Sequence, residues 1–168
     1  VGKGTVVAAL TRRYPQLRVS VSATTRAPRP GEKEGVHYFF VSPQEFDDMI
    51  ERGDMLEWAL VHGTNKYGTP RGPVDESLNA GVPVLLEIDL DGARQVRATR
   101  PDACFIFLAP PSWEELERRL IGRGTEERER RLRTARIEME AASEFDHVVI
   151  NDDIERTVDE LAGLIGLE

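Results

Sequence analysis

The chain has 168 residues, enough for one domain with a sizeable core, and its 40% hydrophobic and 31% charged content is that of a globular protein. Its 22 basic and 30 acidic side chains give a formal net charge of −8, which argues against general nucleic-acid or membrane-surface binding and requires a local cluster of positive charge for any anionic ligand. A lone cysteine, Cys104, excludes an intrachain disulfide framework and fits a reduced cytoplasmic setting.

In chain order, Val1-Gly2-Lys3-Gly4-Thr5 has no initiator Met and no preceding strand, so we expect further residues before Val1. Residues 5–14 read as a helix ended by Pro15, and 17–22 as a short strand. The proline-rich stretch 23–32 excludes a helix; 36–41 is β-rich and aromatic. Ser42-Pro43-Gln44-Glu45 carries an N-cap, a proline at the first helical position and a capping-box Glu, opening a helix that stops at Gly53. Residues 55–61 alternate like a strand, with Leu56, Trp58 and Leu60 on one face and Glu57 on the other; 63–72 reads as loop.

Residues 73–80 read as a helix closed by Gly81, and 82–89 as a nearly continuous apolar run of the kind a central parallel strand requires. Residues 92–100 are helical and 103–108 a buried strand, in which Cys104 would act as a small hydrophobe. Ser112-Trp113-Glu114-Glu115 is a second capping box, opening a helix to about 121 that Gly122-Arg123-Gly124 breaks. A charged helix over 126–142, a strand over 147–151 and an amphipathic helix over 154–167 complete the chain. Helices alternating with apolar strands imply an α/β fold with a parallel sheet, and the segment around 36–61 stands out as a small inserted lobe. Trp58 and Trp113 read as packing residues; His37, His62 and His147 are too scattered for a metal site.

Three stretches bear on chemistry. Gly2-Lys3-Gly4-Thr5 opens a helix, where backbone N–H groups and the helix N-terminus favour phosphate and a lysine can reach the β/γ-phosphates. The tetrapeptide alone fits an ordinary helix start with a surface lysine equally well. In Ser22-Ala23-Thr24-Thr25-Arg26-Ala27-Pro28-Arg29-Pro30-Gly31-Glu32, followed by Gly35 and Tyr38, two guanidinium groups three residues apart sit on a segment stiffened by prolines. Each can grip phosphate oxygens bidentately at reduced ordering cost. From Arg118 to Arg136 eight arginines alternate with Glu126, Glu127 and Glu129, and Glu126–Arg130, Glu127–Arg131 and Glu129–Arg133 have the i, i+4 spacing of a salt-bridged surface helix.

The second stretch resembles the GMP-phosphate loop of guanylate kinases. The resemblance continues through Glu57-Trp58-Ala59, Tyr67-Gly68-Thr69, Leu86-Glu87-Ile88-Asp89, Phe107-Leu108-Ala109-Pro110-Pro111-Ser112, Gly122-Arg123-Gly124-Thr125, Arg131-Leu132 and Val149-Ile150-Asn151-Asp152. It implies a P-loop kinase with a parallel sheet flanked by helices, a small mixed β GMP-binding lobe and a helical lid. The parts would be a core of residues 1–21, 73–121 and 137–168, a GMP-binding lobe of 22–72 and a lid of 122–136, all one kinase domain.

By the same resemblance, ATP meets Gly2, Lys3, Gly4, Thr5, Arg123 and Asn151. The GMP phosphate meets Ser22, Arg26, Arg29, Tyr38 and Tyr67, the guanine base meets Glu57, Glu87 and Thr69, and Asp89 is counted with these GMP-binding residues, near the phosphates. Lys3, Arg26, Arg123 and Arg131 are the implied catalytic cations, and Thr5 and Asp89 lie near Mg²⁺, through water. Guanine offers N1–H and an exocyclic amine as adjacent donors, and carboxylates are the strongest acceptors for them. Glu87 and Asp89, at i, i+2 on a strand end, would project to one face, where open α/β sheets place ligands; two acids at an exposed strand end is the alternative. Asn151 fits a strand-end turn residue as well as an adenine contact. The spacing from Arg123 to Arg131 is shorter than is usual in the family, so either the lid is trimmed or lid residues are absent from this chain.

The activity implied is transfer of the γ-phosphate of ATP to GMP, with Mg²⁺. Two other readings compete with it. One is a catalytically inactive guanylate-kinase-like module that binds phosphopeptides, which Lys3, Arg123 and Arg131 argue against. The other is a kinase for a different nucleoside monophosphate, which Glu57, Glu87 and Thr69 argue against.

Overall fold

A computed structural model describes residues 3–167. It divides into two compact units: one holds the residues up to Pro15 together with those from Cys104 onward, the other Gln16–Ala103. Gly2, expected in the phosphate loop, lies outside the described residues.

In the first unit, helix α1 (Lys3–Arg13) buries Val6 and Leu10 and ends at Tyr14-Pro15, where proline cannot continue it. The C-terminal helix of this unit, Ile154–Ile165, buries Thr157, Val158, Leu161 and Ala162. Asp153 caps its start by accepting from the Glu155 N–H, and Gly166 ends it in the left-handed region at φ 86°. The two helices are also tied by Arg13, which pairs with Asp159 and, at 3.8 Å, with Glu155. Between them in sequence lies a parallel pair of strands, Ile106–Ala109 and His147–Ile150, in register from Ile106 opposite His147 to Ala109 opposite Ile150.

The second unit carries its own short parallel pair, β1 (Arg18–Val19) against Val84–Leu85. It also holds a mixed sheet built from β2 (Ala23–Thr24), β3 (Phe39–Phe40), β4 (Met55–Val61) and β5 (Asn65–Pro70), in the order β3-β2-β5-β4. Helix α2 (Pro43–Glu51) has the full capping box expected: Ser42 Oγ accepts from the Glu45 N–H at 3.1 Å and the Glu45 carboxylate accepts from the Ser42 N–H at 3.3 Å. Its Phe46 is wholly buried with Ala23 and Met55, and Phe39, Val41, Met49, Ile50 and Trp58 pack around them. After β5 come α3 (Arg71–Asn79), the strand β6 (Val84–Leu85) and α4 (Leu90–Thr99). In the first unit the remaining elements are β7 (Ile106–Ala109), α5 (Trp113–Arg119), α6 (Thr125–Glu140), β8 (His147–Ile150) and α7 (Ile154–Ile165).

Several expectations need correction. Residues 65–70, read as loop, form β5; only Tyr67 and Thr69 in Asn-Lys-Tyr-Gly-Thr-Pro favour a strand, Asn65, Gly68 and Pro70 oppose it, and the pairing with β4 across a turn at His62 and Gly63 (φ 53° and 67°) imposes it. A bulge between Met55 and Glu57 breaks the simple alternation of β4, so Met55 and Trp58 both face the core while Leu60 is exposed. The strand over 82–89 is only Val84–Leu85, so Glu87 and Asp89 are not strand residues. Cys104 is exposed, and its neighbour Phe105 is the buried one. The second capping box is half made: Ser112 Oγ accepts from the Glu115 N–H, but Glu115's carboxylate is taken by Arg118 and Arg119, at 2.7 and 3.3 Å.

Candidate active site

In the second unit the expected residues form two clusters. The first surrounds Arg26. Its guanidinium meets Glu32 through two parallel bonds of 2.9 and 3.0 Å, its Nε donates to the Tyr67 hydroxyl at 3.1 Å, and it lies 5.2 Å over the Tyr38 ring. Tyr38 and Tyr67 meet edge to face at 5.9 Å. The Arg29 N–H donates to Glu32 at 2.7 Å, while the Arg29 side chain is exposed. Pairing of β2 with β5, Thr24 opposite Tyr67, brings the loop arginine to its tyrosine. Ser22 enters the cluster's frame through its carbonyl, which accepts from the Phe39 N–H.

Glu32 was quoted in the motif but given no role by sequence; its spacing of six residues from Arg26 and three from Arg29 in a stiff loop was the available signal. The Arg26 guanidinium first, and the Arg29 N–H second, hold the Glu32 carboxyl down to about 2; Glu32 in turn holds Arg26 above its ordinary value. A depressed carboxyl adds stability above its unfolded value near 4.5, lost as pH falls toward about 2. The pair fixes a planar cation over the Tyr38 ring and against the Tyr67 hydroxyl, with Glu32 occupying its bidentate face, so another anion reaches that face only by exchange with Glu32.

The second cluster is acidic. Register in the β4–β5 pair sets Glu57 opposite Thr69, and the buried Thr69 hydroxyl donates to Glu57 Oε1 at 2.8 Å. Glu57's carboxyl stands above the ordinary range: burial is the largest cause, the Thr69 hydroxyl opposes it, and the charges of Asp89 and Asp91 add to it. Gly68 keeps this geometry tight: it faces Trp58, and a Cβ there would stand 2.7 Å from the Glu57 carbonyl oxygen. At Gly92, in the first turn of α4, an added Cβ would crowd Ile88 and Asp89, at 3.1 and 3.2 Å, and would meet Glu57 Oε2 at an ordinary contact distance of 3.5 Å.

Asp89 caps α4, its Oδ1 accepting from the Gly92 N–H at 2.8 Å. That role arises because the strand ends before it, and it leaves the same-face argument for Glu87 and Asp89 without its strand. Glu87 is exposed in the segment between β6 and α4.

In the first unit, Lys3, Gly4 and Thr5 form the exposed first turn of α1, whose side carries no acidic residue. Arg123 and Arg131 share one carboxylate oxygen: each is 3.1 Å from Glu127 Oε1. The i, i+4 pairing read from sequence for Glu127–Arg131 is therefore present, and Glu127 brings Arg123 and Arg131, the two arginines the resemblance assigns to a lid, to one place. Bonding to Arg131 first, and to Arg123 next, lowers Glu127's carboxyl. Asn151 is buried at the end of β8; its N–H donates to the Ala109 carbonyl at 2.7 Å and its carbonyl accepts from Arg119 at 3.3 Å. Trp113 packs under Arg136, 5.2 Å away, as a packing residue should.

The whole chain, residues 1–168, matches the family model described as guanylate kinase. It is 60% identical to the guanylate kinase of Thermobifida fusca, covering 98% of this chain and 85% of that protein. With the guanylate kinase of Streptomyces coelicolor it shares 58% identity over 98% of this chain and 84% of that one. Among solved structures, the crystal structure of guanylate kinase from Anaplasma phagocytophilum aligns with a TM-score of 0.75 at 37% identity, covering 98% of this chain and 80% of that chain.

Proposed function

The chain belongs to the guanylate kinase family, enzymes that move the γ-phosphate of ATP onto GMP to give ADP and GDP, and from that premise we propose which of its residues do the work. Glu57 reads guanine. The observation that carries this is the cross-strand pair of half-buried Glu57 and buried Thr69, with the charges of Asp89 and Asp91 acting on it. An acceptor-rich site suits the N1–H and amine edge of guanine and would leave an unpaired buried carboxylate against adenine. Glu87 is assigned to the same base by its place in the motif.

Arg26, Arg29, Tyr38 and Tyr67, with Ser22, hold the GMP phosphate; the support is a guanidinium held in a fixed orientation by Glu32 and Tyr67, beside the exposed Arg29 side chain, and the phosphate would compete with Glu32 for it. Lys3, Arg123 and Arg131 supply charge to the transferring group, whose transition state spreads negative charge over its oxygens. Gly2, Gly4 and Thr5 belong to the ATP side with them, as does Asn151. Release of Arg123 and Arg131 from Glu127 is the exchange this assignment requires.

ATP is used with Mg²⁺ in this reading. The Thr5 hydroxyl and the Asp89 carboxylate are exposed hard-oxygen donors of the kind Mg²⁺ takes, and Asp89 has one oxygen beyond that committed to Gly92. The ion would neutralise phosphate charge. No helix among the described residues is long and apolar enough to cross a membrane, and we place the enzyme in the cytoplasm.

The test is Arg26→Met. It should raise KM for GMP by about ten- to a hundredfold, the worth of charge-assisted bonds, with KM for ATP unmoved. An unchanged KM for GMP contradicts the assignment.

A further inference from the structure

β4 is the edge strand of its sheet, paired with β5 on one side only. On its other side, at Trp58, a single side chain takes the place of a strand. Gln95 Oε1 accepts from the Trp58 N–H at 3.1 Å, and Gln95 Nε2 donates to the Trp58 carbonyl at 2.9 Å. The same Nε2 donates to Asp91 Oδ2 at 2.9 Å, one turn earlier on α4. One amide thus satisfies both outward backbone groups of Trp58 and binds them to the start of a helix.

The Trp58 N–H belongs to the peptide that joins Glu57 to Trp58. Gripping it fixes the backbone directly after Glu57, on an edge where a one-sided ladder leaves a strand free to twist. On the far side Thr69 holds the Glu57 carboxylate itself. The start of α4 stands close as well: a Cβ built at Gly92 would lie in ordinary contact with Glu57 Oε2, at 3.5 Å.

The geometry points to Gln95 as a positioning residue for guanine recognition: by clamping the Trp58 backbone and Asp91 together it sets where the Glu57 carboxylate meets the base. This rests on Glu57 being the guanine reader. Gln95 does not touch the nucleotide. Its loss acts through the aim of a group that does, so the effect falls on discrimination between bases more than on affinity for phosphate.

The experiment measures kcat/KM for GMP and for IMP, which keeps N1–H but lacks the exocyclic amine, at saturating ATP. It compares the native protein with Gln95→Met, Gln95→Glu and Glu57→Gln. Gln95→Met keeps the volume and loses all three hydrogen bonds; it should raise KM for GMP about tenfold, part of their combined worth, and shrink the GMP-over-IMP preference while KM for ATP stays put. Gln95→Glu keeps an acceptor for the Trp58 N–H, loses the donor, and shifts the preference the same way, so it carries the test if the methionine variant does not fold. A preference that is unchanged in a folded Gln95 variant, with Glu57→Gln abolishing it, overturns the positioning role and leaves Glu57 as the reader. A preference that survives Glu57→Gln overturns the reading of Glu57, and this inference with it.

Discussion

Glu57 keeps its charge at a cost to the folded state. Its carboxyl is raised chiefly by burial and further by Asp89 and Asp91. A group raised in the folded state contributes most below its unfolded value, near 4.5, and that contribution is lost as pH rises through the folded value. Ionisation of Glu57 therefore costs the folded state stability, while the proposed reading of guanine uses that ionised form. Glu57→Gln should raise the melting temperature measured at pH 7 and lower kcat/KM for GMP by about a hundredfold, two charged hydrogen bonds' worth. In the native protein KM for GMP should climb as pH falls through the raised Glu57 value, and the Gln variant should lose that climb. A variant that is less stable than the native protein at pH 7, with the pH profile intact, contradicts the account.

Among elements, the β4–β5 hairpin does most to place the residues proposed to read guanine, and it shows what the sequence could and could not reveal. The strand 55–61 and its Glu57 were legible from alternation, but β5 was not, because Asn65, Gly68 and Pro70 are poor strand formers held by pairing. With β5 unseen, the opposition of Glu57 and Thr69 had only family resemblance behind it. The capping box of α2 was legible in full, being local chemistry; the one at Ser112 failed because Arg118 and Arg119 compete for Glu115. Residues 82–89 were overread as strand, since apolar composition cannot say where a ladder stops, and Asp89 proved to be a helix cap.

Two predictions belong at this scale. Gly68→Ala sets a Cβ against the Glu57 carbonyl oxygen and Trp58, backbone and a packed side chain that cannot yield cheaply. It should destabilise the protein by about 1–3 kcal/mol in urea unfolding and raise KM for GMP, with KM for ATP unaffected. Helix α6 buries none of its residues and is held by pairs such as Glu127 with Arg131. Its amides should exchange with deuterium well before those of α7, whose face is buried. Equal protection in the two helices would show that α6 is not the loosely held element the lid assignment requires.

At the scale of the molecule, the chain's division of labour follows its topology. Residues assigned to ATP come from the unit formed by the two ends of the chain, and those assigned to GMP come from the unit between them. A net charge of −8 makes the overall field repel two anionic substrates, so binding requires local cations; the ones proposed are Lys3 and Arg123 in the first unit and Arg26 and Arg29 in the second. The most direct test of the family's activity in this chain is ADP formation with ATP and Mg²⁺, offering GMP, AMP, dTMP and UMP separately. Turnover with GMP, with the other three slower by several orders of magnitude, is the predicted result. Comparable turnover with AMP would contradict the carboxylate reading of guanine, and no turnover with any of the four, together with phosphopeptide binding, would contradict the kinase assignment itself.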